Sequence, residues 1–131
     1  MSNKKQQNKN KTEKRKLGDR GESISCGYLA NCGYKILKRN YSCKFGEIDI
    51  IAEKEKNIIF IEVKTRTGNY FGEPQEFVNF QKLEKMDMAI DFFINEFEIS
   101  EEYILRIDVI EILFDENGDK YKLNHIEDFN N

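Results

Sequence analysis

Two short segments rich in isoleucine constrain this 131-residue chain more than any other feature of its sequence. Residues 46–52 read GEIDIIA and residues 58–64 read IIFIEVK, and only the charged stretch EKEKN separates them. β-Branched residues in two runs joined by so short a connection are typical of an antiparallel hairpin. The sequence therefore predicts a hairpin near the middle of the chain.

The register of this hairpin decides which side chains meet. A loop closed over residues 54–57 places Asp49 opposite Glu62 and Glu47 opposite Lys64. One face of the hairpin is then apolar and is formed by Ile48, Ile50, Ala52, Ile59, Ile61 and Val63. The other face carries the four ionisable groups at one end and two apolar side chains toward the turn, Ile51 and Phe60.

Two carboxylates directly opposite each other on a hairpin repel, so something must offset the repulsion. A divalent cation does this well, because Mg²⁺ takes hard oxygen ligands from one or two carboxylates together with water and phosphate. The neighbouring Lys64 could then stabilise a phosphate oxygen. A surface charge cluster in which Lys64 neutralises one carboxylate explains the spacing equally well, and the spacing leaves both interpretations open.

The remaining elements predict one α/β domain over residues 17–131. Apolar residues at helical spacing indicate a first helix that ends before Gly33, a typical C-terminal cap. A long helix that opens at Glu73-Pro74 follows the hairpin. The expected order is α-β-β-β-α-β-β, a mixed sheet flanked by helices, with its helices at 18–31 and 73–97 and its strands at 34–41, 46–52, 58–64, 103–114 and 121–126.

Charge divides the chain into parts. Residues 1–16 carry seven Lys/Arg and one acidic residue in a low-complexity context, which predicts a disordered basic arm. Such an arm is either a solvated tail or a contact for a polyanion. Residues 86–131 carry three Lys/Arg against thirteen Asp/Glu, so we expect this part to face away from any nucleic acid.

Other classes of protein are disfavoured by composition. There is no apolar run of membrane-spanning length and no secretory signal at the N-terminus, so we expect neither a membrane partner nor export. Cysteines at 26, 32 and 43 form no Cys-x-x-Cys pair, which fits reduced thiols in the cytoplasm. The single histidine, His125, disfavours histidine-based triads and zinc sites and is interpreted as structural, as are the cysteines.

The hairpin resembles a known nuclease signature. GEIDII followed by IEVKTR is similar to the split D…(D/E)-x-K pattern of the PD-(D/E)xK, or restriction-endonuclease-like, superfamily. A wider set of motifs resembles the YraN family of small bacterial proteins over about residues 17–114. These motifs are GDRGE at 18–22, Gly33-Tyr34 with Asn40, GEIDIIA, FIEVKTR, Phe71-Gly72, Lys82 and RIDV at 106–109.

The resemblance implies a restriction-endonuclease-like αβββαβ core with a metal site on the hairpin. By position, Asp49 and Glu62 would bind Mg²⁺, for which Mn²⁺ is an expected substitute, and Lys64 would be the catalytic lysine. Glu22 would be the additional acidic residue and metal ligand found in resolvase-like branches. Ser25-Cys26 departs from the alanine usual in the first helix, and the basic arm is particular to this chain, so its role is not inherited.

Several candidates keep a second interpretation. Glu22 could simply complement the dipole of its helix. Glu47 belongs to the site but not to its catalytic set. Gln81 and Lys82 could contact phosphate or form a solvated helix face, and Arg66 could contact a nucleic-acid backbone or remain a rim charge. We interpret Asp108, inside an apolar strand, as structural.

The predicted function is a metal-dependent endonuclease that hydrolyses phosphodiester bonds in DNA, with branched or otherwise structured DNA as one option. No small-molecule cofactor is expected. A nucleic-acid-binding or adaptor protein without catalysis is the first alternative, and a protein–protein interaction module with an acidic surface is the second. The intact acid, acid and lysine positions favour the nuclease.

Overall fold

A computed structural model describes residues 4–71, 73 and 78–129, with side chains from residue 11 onward. The chain forms a five-stranded sheet with one helix packed on each face. The elements are α1 (Lys4–Asn31), β1 (Lys35–Cys43), β2 (Gly46–Lys54), β3 (Asn57–Thr67), α2 (Phe80–Glu96), β4 (Ile104–Phe114) and β5 (Tyr121–Ile126). This order confirms the predicted α/β class, and it is consistent with an αβββαβ core.

The strands lie in the sheet in chain order, and three of the four neighbouring pairs are antiparallel. Only β3 and β4 are parallel, because the connection between them crosses over through α2. The predicted mixed sheet is therefore confirmed. Neither described helix combines the length and apolar character that a membrane span requires.

The two faces of the sheet bury separate apolar clusters. On one face, Ile51 and Phe60 of the sheet form a cluster with Met86 and Phe93 of α2. The opposite cluster packs against α1 and contains Leu29, Tyr34, Ile50, Ala52, Ile59, Ile61, Ile110, Ile112 and Phe114. Burial on both faces fixes the register of the central strands, because a slip of one residue would exchange the faces.

The predicted apolar face of the hairpin is wrong at Ile48. This residue lies in the α2 cluster with Ile51, whereas Ile50 lies in the α1 cluster. The physical reason is a bend in the paired strands β1 and β2 at Asn40, whose φ of 51° interrupts the extended backbone. Past this bend the two strands turn toward α2.

The first helix is longer than predicted. It begins at Lys4 rather than near residue 18, so the arm is helical from Lys4 and its residues 11–16 are exposed. Composition predicted disorder here, but Lys and Gln are good helix formers and no proline interrupts the segment. That the folded domain begins at residue 17 stays a prediction.

The second helix is shorter than predicted. It begins at Phe80, where the Asn79 side chain accepts a hydrogen bond from the Lys82 backbone N–H at 2.9 Å. Asparagine is a preferred N-cap, so the helix starts at this cap. The predicted start at Glu73-Pro74 falls partly on residues 74–77, which lie outside the described part of the chain.

A buried carboxylate ties the far strands together. Asp108 on β4 is fully buried and accepts two hydrogen bonds from the Arg106 guanidinium, both at 2.8 Å. Its oxygens also contact His125 Nε2 at 2.7 Å and the Asp128 backbone N–H at 2.9 Å. Burial alone would raise the pKa of Asp108, but these hydrogen bonds outweigh it and lower the pKa.

The same network reaches α1 and the start of β1. Arg106 also donates to the Tyr34 hydroxyl at 2.8 Å, and His125 Nδ1 lies 2.8 Å from the Tyr28 hydroxyl. The structural interpretation of Asp108 and His125 is consistent with this network, because its contacts to Tyr28, Tyr34, His125 and the Asp128 N–H join β4 to the elements around it.

Candidate active site

The site begins where β2 and β3 separate. Their backbone pairing runs from Lys54 opposite Asn57 to Ile50 opposite Ile61, in the predicted register, although the turn contains two residues rather than four. Beyond Ile50, β2 continues only with β1, and β3 continues with β4 to Thr67. We call this opening between the two strands the fork.

The predicted cross-strand pairs of the ionisable residues do not form in the fork. Glu47 pairs with Ser42 of β1, and Lys64 pairs with Glu111 of β4. In place of a backbone pair, Asp49 Oδ2 accepts a hydrogen bond from the Val63 N–H at 2.8 Å. The prediction failed because β2 follows the bend of β1 away from β3.

The fork nevertheless brings Asp49 and Glu62 together as an interacting pair of acids. Burial, and then the charge of Asp49, raise the pKa of Glu62 to about 7, against the opposing effect of Lys82. Burial also raises the pKa of Asp49, although the Val63 N–H, Lys82 and Lys64 act in the opposite direction. The pair is therefore poorly stabilised as two negative charges.

One oxygen of this pair lacks a donor. Glu62 Oε2 is buried and has no hydrogen-bond partner among the described residues. Two ionised carboxylates have no proton to donate to each other, so the pair is satisfied only when it takes up a proton or a cation. A buried hydrogen-bond acceptor without a donor costs folding free energy, and here it indicates that the acid pair can bind a proton or a cation.

Lys82 supplies a cation to Glu62. Its Nζ lies 3.5 Å from Glu62 Oε1, and the side chain is 36% exposed. The polar pair predicted on this helix therefore divides: Lys82 reaches into the fork, whereas Gln81 is exposed. Neighbouring residues on a helix point about 100° apart, which explains the difference.

Lys64 and Arg66 lie on β3 beyond Glu62. Lys64 is exposed and close enough for its charge to lower the pKa of Asp49, a smaller effect than the burial that raises it. Alternation along the strand puts Lys64 on the same face as Glu62. Arg66 is half-buried and lies four residues beyond Glu62 along the strand.

The first helix brings Glu22 to the site through a close approach at Gly21. A Cβ at Gly21 would overlap Thr65 Cγ2, so only glycine lets α1 lie this near β3. Burial, followed by the charge of Asp49, raises the pKa of Glu22 to about 7. Glu22 therefore interacts electrostatically with Asp49, and its predicted role as a metal ligand stays a prediction.

Asn40 is a site residue that the predicted set omitted. With its amide nitrogen facing the carboxylates, it donates to Glu22 Oε1 at 2.8 Å and to Glu47 Oε1 at 3.0 Å. Asn40 therefore links Glu47, which was predicted to lie in the site outside its catalytic set, to Glu22. An asparagine within a strand-like run was the available signal, since Asn adopts positive φ more readily than most residues.

The donor set suits some metals better than others. No group of three His, Cys, Asp or Glu side chains within residues 11–71, 73 and 78–129 has the arrangement of a complete metal site. A structural zinc site, which needs four protein ligands, therefore does not fit the described residues. Mg²⁺ binds through one or two carboxylates plus water and phosphate, and the Asp49–Glu62 pair with its orphan oxygen fits that requirement.

Replacing Gly21 with alanine should destabilise the protein by about 1–3 kcal/mol, because the new methyl group collides with Thr65. Gly27 is the matched control: it lies on the same helix with open space around it, so Gly27→Ala should stabilise by about 0.5–1 kcal/mol. Urea unfolding of the two variants measures the difference. Equal stabilisation by both would contradict the close approach.

Sequence comparison relates the chain to one family. The Uncharacterised protein family UPF0102 matches residues 21–112. A UPF0102 protein of Clostridium botulinum strain 657 is 41% identical over 111 residues, which cover 85% of this chain and 90% of that protein. A UPF0102 protein of Caldicellulosiruptor bescii is 40% identical over 114 residues, 87% of this chain and 96% of the relative. The matched region contains the whole fork, and these names state no activity.

Proposed function

The chain belongs to the uncharacterised protein family UPF0102, and we propose that it is a metal-dependent nuclease that hydrolyses phosphodiester bonds in DNA. The observation that carries this proposal is the pair of half-buried acids in the fork, Asp49 and Glu62, with one buried oxygen that lacks a donor. The resemblance of the hairpin to the PD-(D/E)xK signature, and of about residues 17–114 to the YraN family, supports the same function.

Asp49 and Glu62 would hold Mg²⁺ or Mn²⁺, and Glu22 would assist. When bound, the cation supplies a Lewis acid that stabilises negative charge on the phosphate. A cation also removes the repulsion within the acid pair, and this would free Lys82 from Glu62 to contact a phosphate.

The chain's own residues account for the rest of the proposed chemistry. Hydrolysis joins a water oxygen to phosphorus and breaks one ester bond, so a proton must leave the water and another must reach the departing oxygen. Glu22, whose pKa is raised to about 7, can exchange a proton at neutral pH, and Asn40 orients its carboxylate. Lys64 would stabilise the charge that develops on the phosphate.

A second candidate function is nucleic-acid binding without catalysis. The described residues contain no complete trio of metal ligands, and this observation favours it. The experiment that separates the two candidates is direct cation binding, because a binder has no need of a metal in the fork. We also propose a cytoplasmic location, since the three described cysteines are free thiols.

Mg²⁺ or Mn²⁺ should stabilise the wild-type protein, by about 2.7 kcal/mol at a concentration 100 times the Kd. Asp49→Asn should gain little from either cation. The metal-free variant should be at least as stable as wild type, because an asparagine oxygen can still accept from the Val63 N–H while the repulsion disappears. Thermal unfolding with and without cation measures both effects.

Asp91→Asn is the control for that experiment, since Asp91 is exposed on α2 and should leave the cation response unchanged. A wild-type protein that gains no stability from either cation, together with a strongly destabilised Asp49→Asn, would indicate a purely structural role for the fork.

The metal-free protein should lose stability as the pH rises from 4.5 to 7, the ordinary and the raised pKa of Glu62. Across this interval the folded state binds more protons than the unfolded state, so the unfolding free energy falls with pH. Glu62→Gln should reduce the dependence and leave the part that Glu22 contributes, whereas Glu116→Gln, at an exposed turn position, should leave it unchanged. Chemical unfolding in a chelator at several pH values tests this, and a stability that increases over the interval would refute it.

A further inference from the structure

Tyr121, at the start of β5, lines three of the described clefts, and two of these also contain lysines. Its ring is half exposed. One cleft, of about 340 Å³, is lined by residues that include Gly68, Lys120 and Lys122. The other, of about 650 Å³, includes Lys16 of α1 in its lining. We call the two together the hairpin clefts, after the antiparallel pair β4–β5 and not the β2–β3 hairpin of the fork.

Arg20 holds the hairpin clefts side by side. Its Nη1 donates to the Gly118 carbonyl at 3.0 Å, and its guanidinium lies 4.6 Å from the centre of the Phe114 ring. These contacts fasten the basic half of α1 to the turn between β4 and β5. The two clefts therefore meet at Tyr121, beside the contact between these two elements.

The charge of this surface differs from that of the surrounding sequence. Residues 86–131 contain thirteen acidic residues, yet two of their three basic residues, Lys120 and Lys122, lie in the hairpin clefts. Lys16 adds a third exposed cation from α1. Two acids also line the clefts, Asp19 and Asp115, but the Asp115 carboxylate accepts a hydrogen bond from the Asp119 N–H within the turn.

The clefts lie at the same end of the sheet as the fork. Tyr121 pairs with Phe114, which in turn pairs with Thr67, five residues beyond Glu62 on β3. At about 3.3 Å per residue and 4.8 Å per strand, Tyr121 lies about 20 Å from Glu62. This distance is within reach of the roughly 4–16 nucleotides that single-strand-binding domains contact.

We propose that the hairpin clefts bind a single-stranded segment of nucleic acid that continues from the strand held in the fork. An unpaired base stacks on Tyr121, and the adjoining phosphates contact Lys16, Lys120 and Lys122. A duplex offers no free base face along its length, so an exposed ring between cations fits an unpaired strand better than a duplex. This inference rests on the proposed nuclease function and gives its substrate a single-stranded portion.

Binding measured without cleavage tests the inference. Fluorescence anisotropy in a chelator would compare a labelled oligothymidylate single strand with a blunt duplex of equal length. Tyr121→Leu keeps an apolar contact with Phe114 but removes the stacking ring, and it should weaken single-strand binding about tenfold at every salt concentration. Tyr121→Phe should retain wild-type affinity.

Charge variants test the phosphate contacts. Lys122→Glu should weaken binding and make the slope of log K against log salt shallower by about 0.7. The matched controls lie at the opposite end of the sheet: Lys56→Glu for charge and Leu105→Ala for an apolar side chain of similar exposure. Neither control should change the affinity. Thermal unfolding of each variant verifies that it is folded.

The outcomes separate this inference from the proposed nuclease function. Single-strand binding that depends on Tyr121 supports the clefts even if no substrate is cleaved. Unchanged single-strand affinity in Tyr121→Leu, equal losses for single strand and duplex, or no binding by the wild type would each overturn the inference. Cleavage by the wild type could persist in any of these cases.

Discussion

Replacing Lys64 with alanine should reduce DNA cleavage by about 10²–10³-fold while cation binding stays nearly unchanged. Lys64 lies on the same face of β3 as Glu62, but it contributes a charge rather than a metal ligand. Its stabilising effect is needed mainly when charge develops on the phosphate, so its removal affects the transition state more than the bound state. Glu62→Ala should lose both cation binding and cleavage.

The assay uses supercoiled, linear, single-stranded, flapped and four-way-junction DNA, with RNA for comparison, in Mg²⁺ and in Mn²⁺. Lys56→Ala is the control lysine, because Lys56 is exposed in the turn at the other end of β3. Activity that survives both Lys64→Ala and Glu62→Ala would come from a contaminant and would remove the proposed site. Reproducible binding by the wild type without cleavage of any substrate would favour the adaptor function.

Replacing Asp108 with alanine should destabilise the protein by about 3–5 kcal/mol. The substitution leaves the half-buried Arg106 and the buried His125 without their shared carboxylate and removes the acceptor for the Asp128 N–H. Because the pKa of Asp108 is lowered by folding, its stabilising effect is present above about pH 4 and disappears as the pH falls through the lowered pKa. Denaturant unfolding at pH 7 and at low pH measures both.

Asp91→Ala is the control, since this aspartate is exposed on α2 and should change stability by no more than about 0.5 kcal/mol. A loss below about 1 kcal/mol in Asp108→Ala would mean that Arg106 and His125 find other partners, and the network would then have little part in joining β4, β5 and α1.

The sequence was sufficient for the parts of the site that depend on local pairing. The short connection between the strands fixed the register of the hairpin as far as Ile50 opposite Ile61, but the predicted pairing of Asp49 with Glu62 does not form. The class of the fold followed from the same kind of local pattern. The order of strands and helices was predictable because each element carries its own periodicity.

Features that depend on distant packing could not be predicted. Helical periodicity located Lys82 on a long helix, but only the docking of α2 on the sheet turns it toward Glu62. Gly21 is ordinary in a helical sequence, and its importance depends on Thr65, 44 positions later. The change of face at Ile48 required knowledge of the left-handed Asn40, which no periodicity reveals.

The fork itself has a consequence for how the site is maintained. The backbone pairing of the hairpin ends at Ile50 opposite Ile61, although nothing in the local sequence requires it to end there. If the same register continued, Asp49 would pair with Glu62 and Glu47 with Lys64, and the two strands would be hydrogen-bonded along their whole length. The opening exists because β1 and β4, the outer neighbours, hold the two strands apart. Access to the acids is therefore a property of the whole sheet, and a substitution that straightens β1 at Asn40 would close the site without altering the acids or the lysines within it.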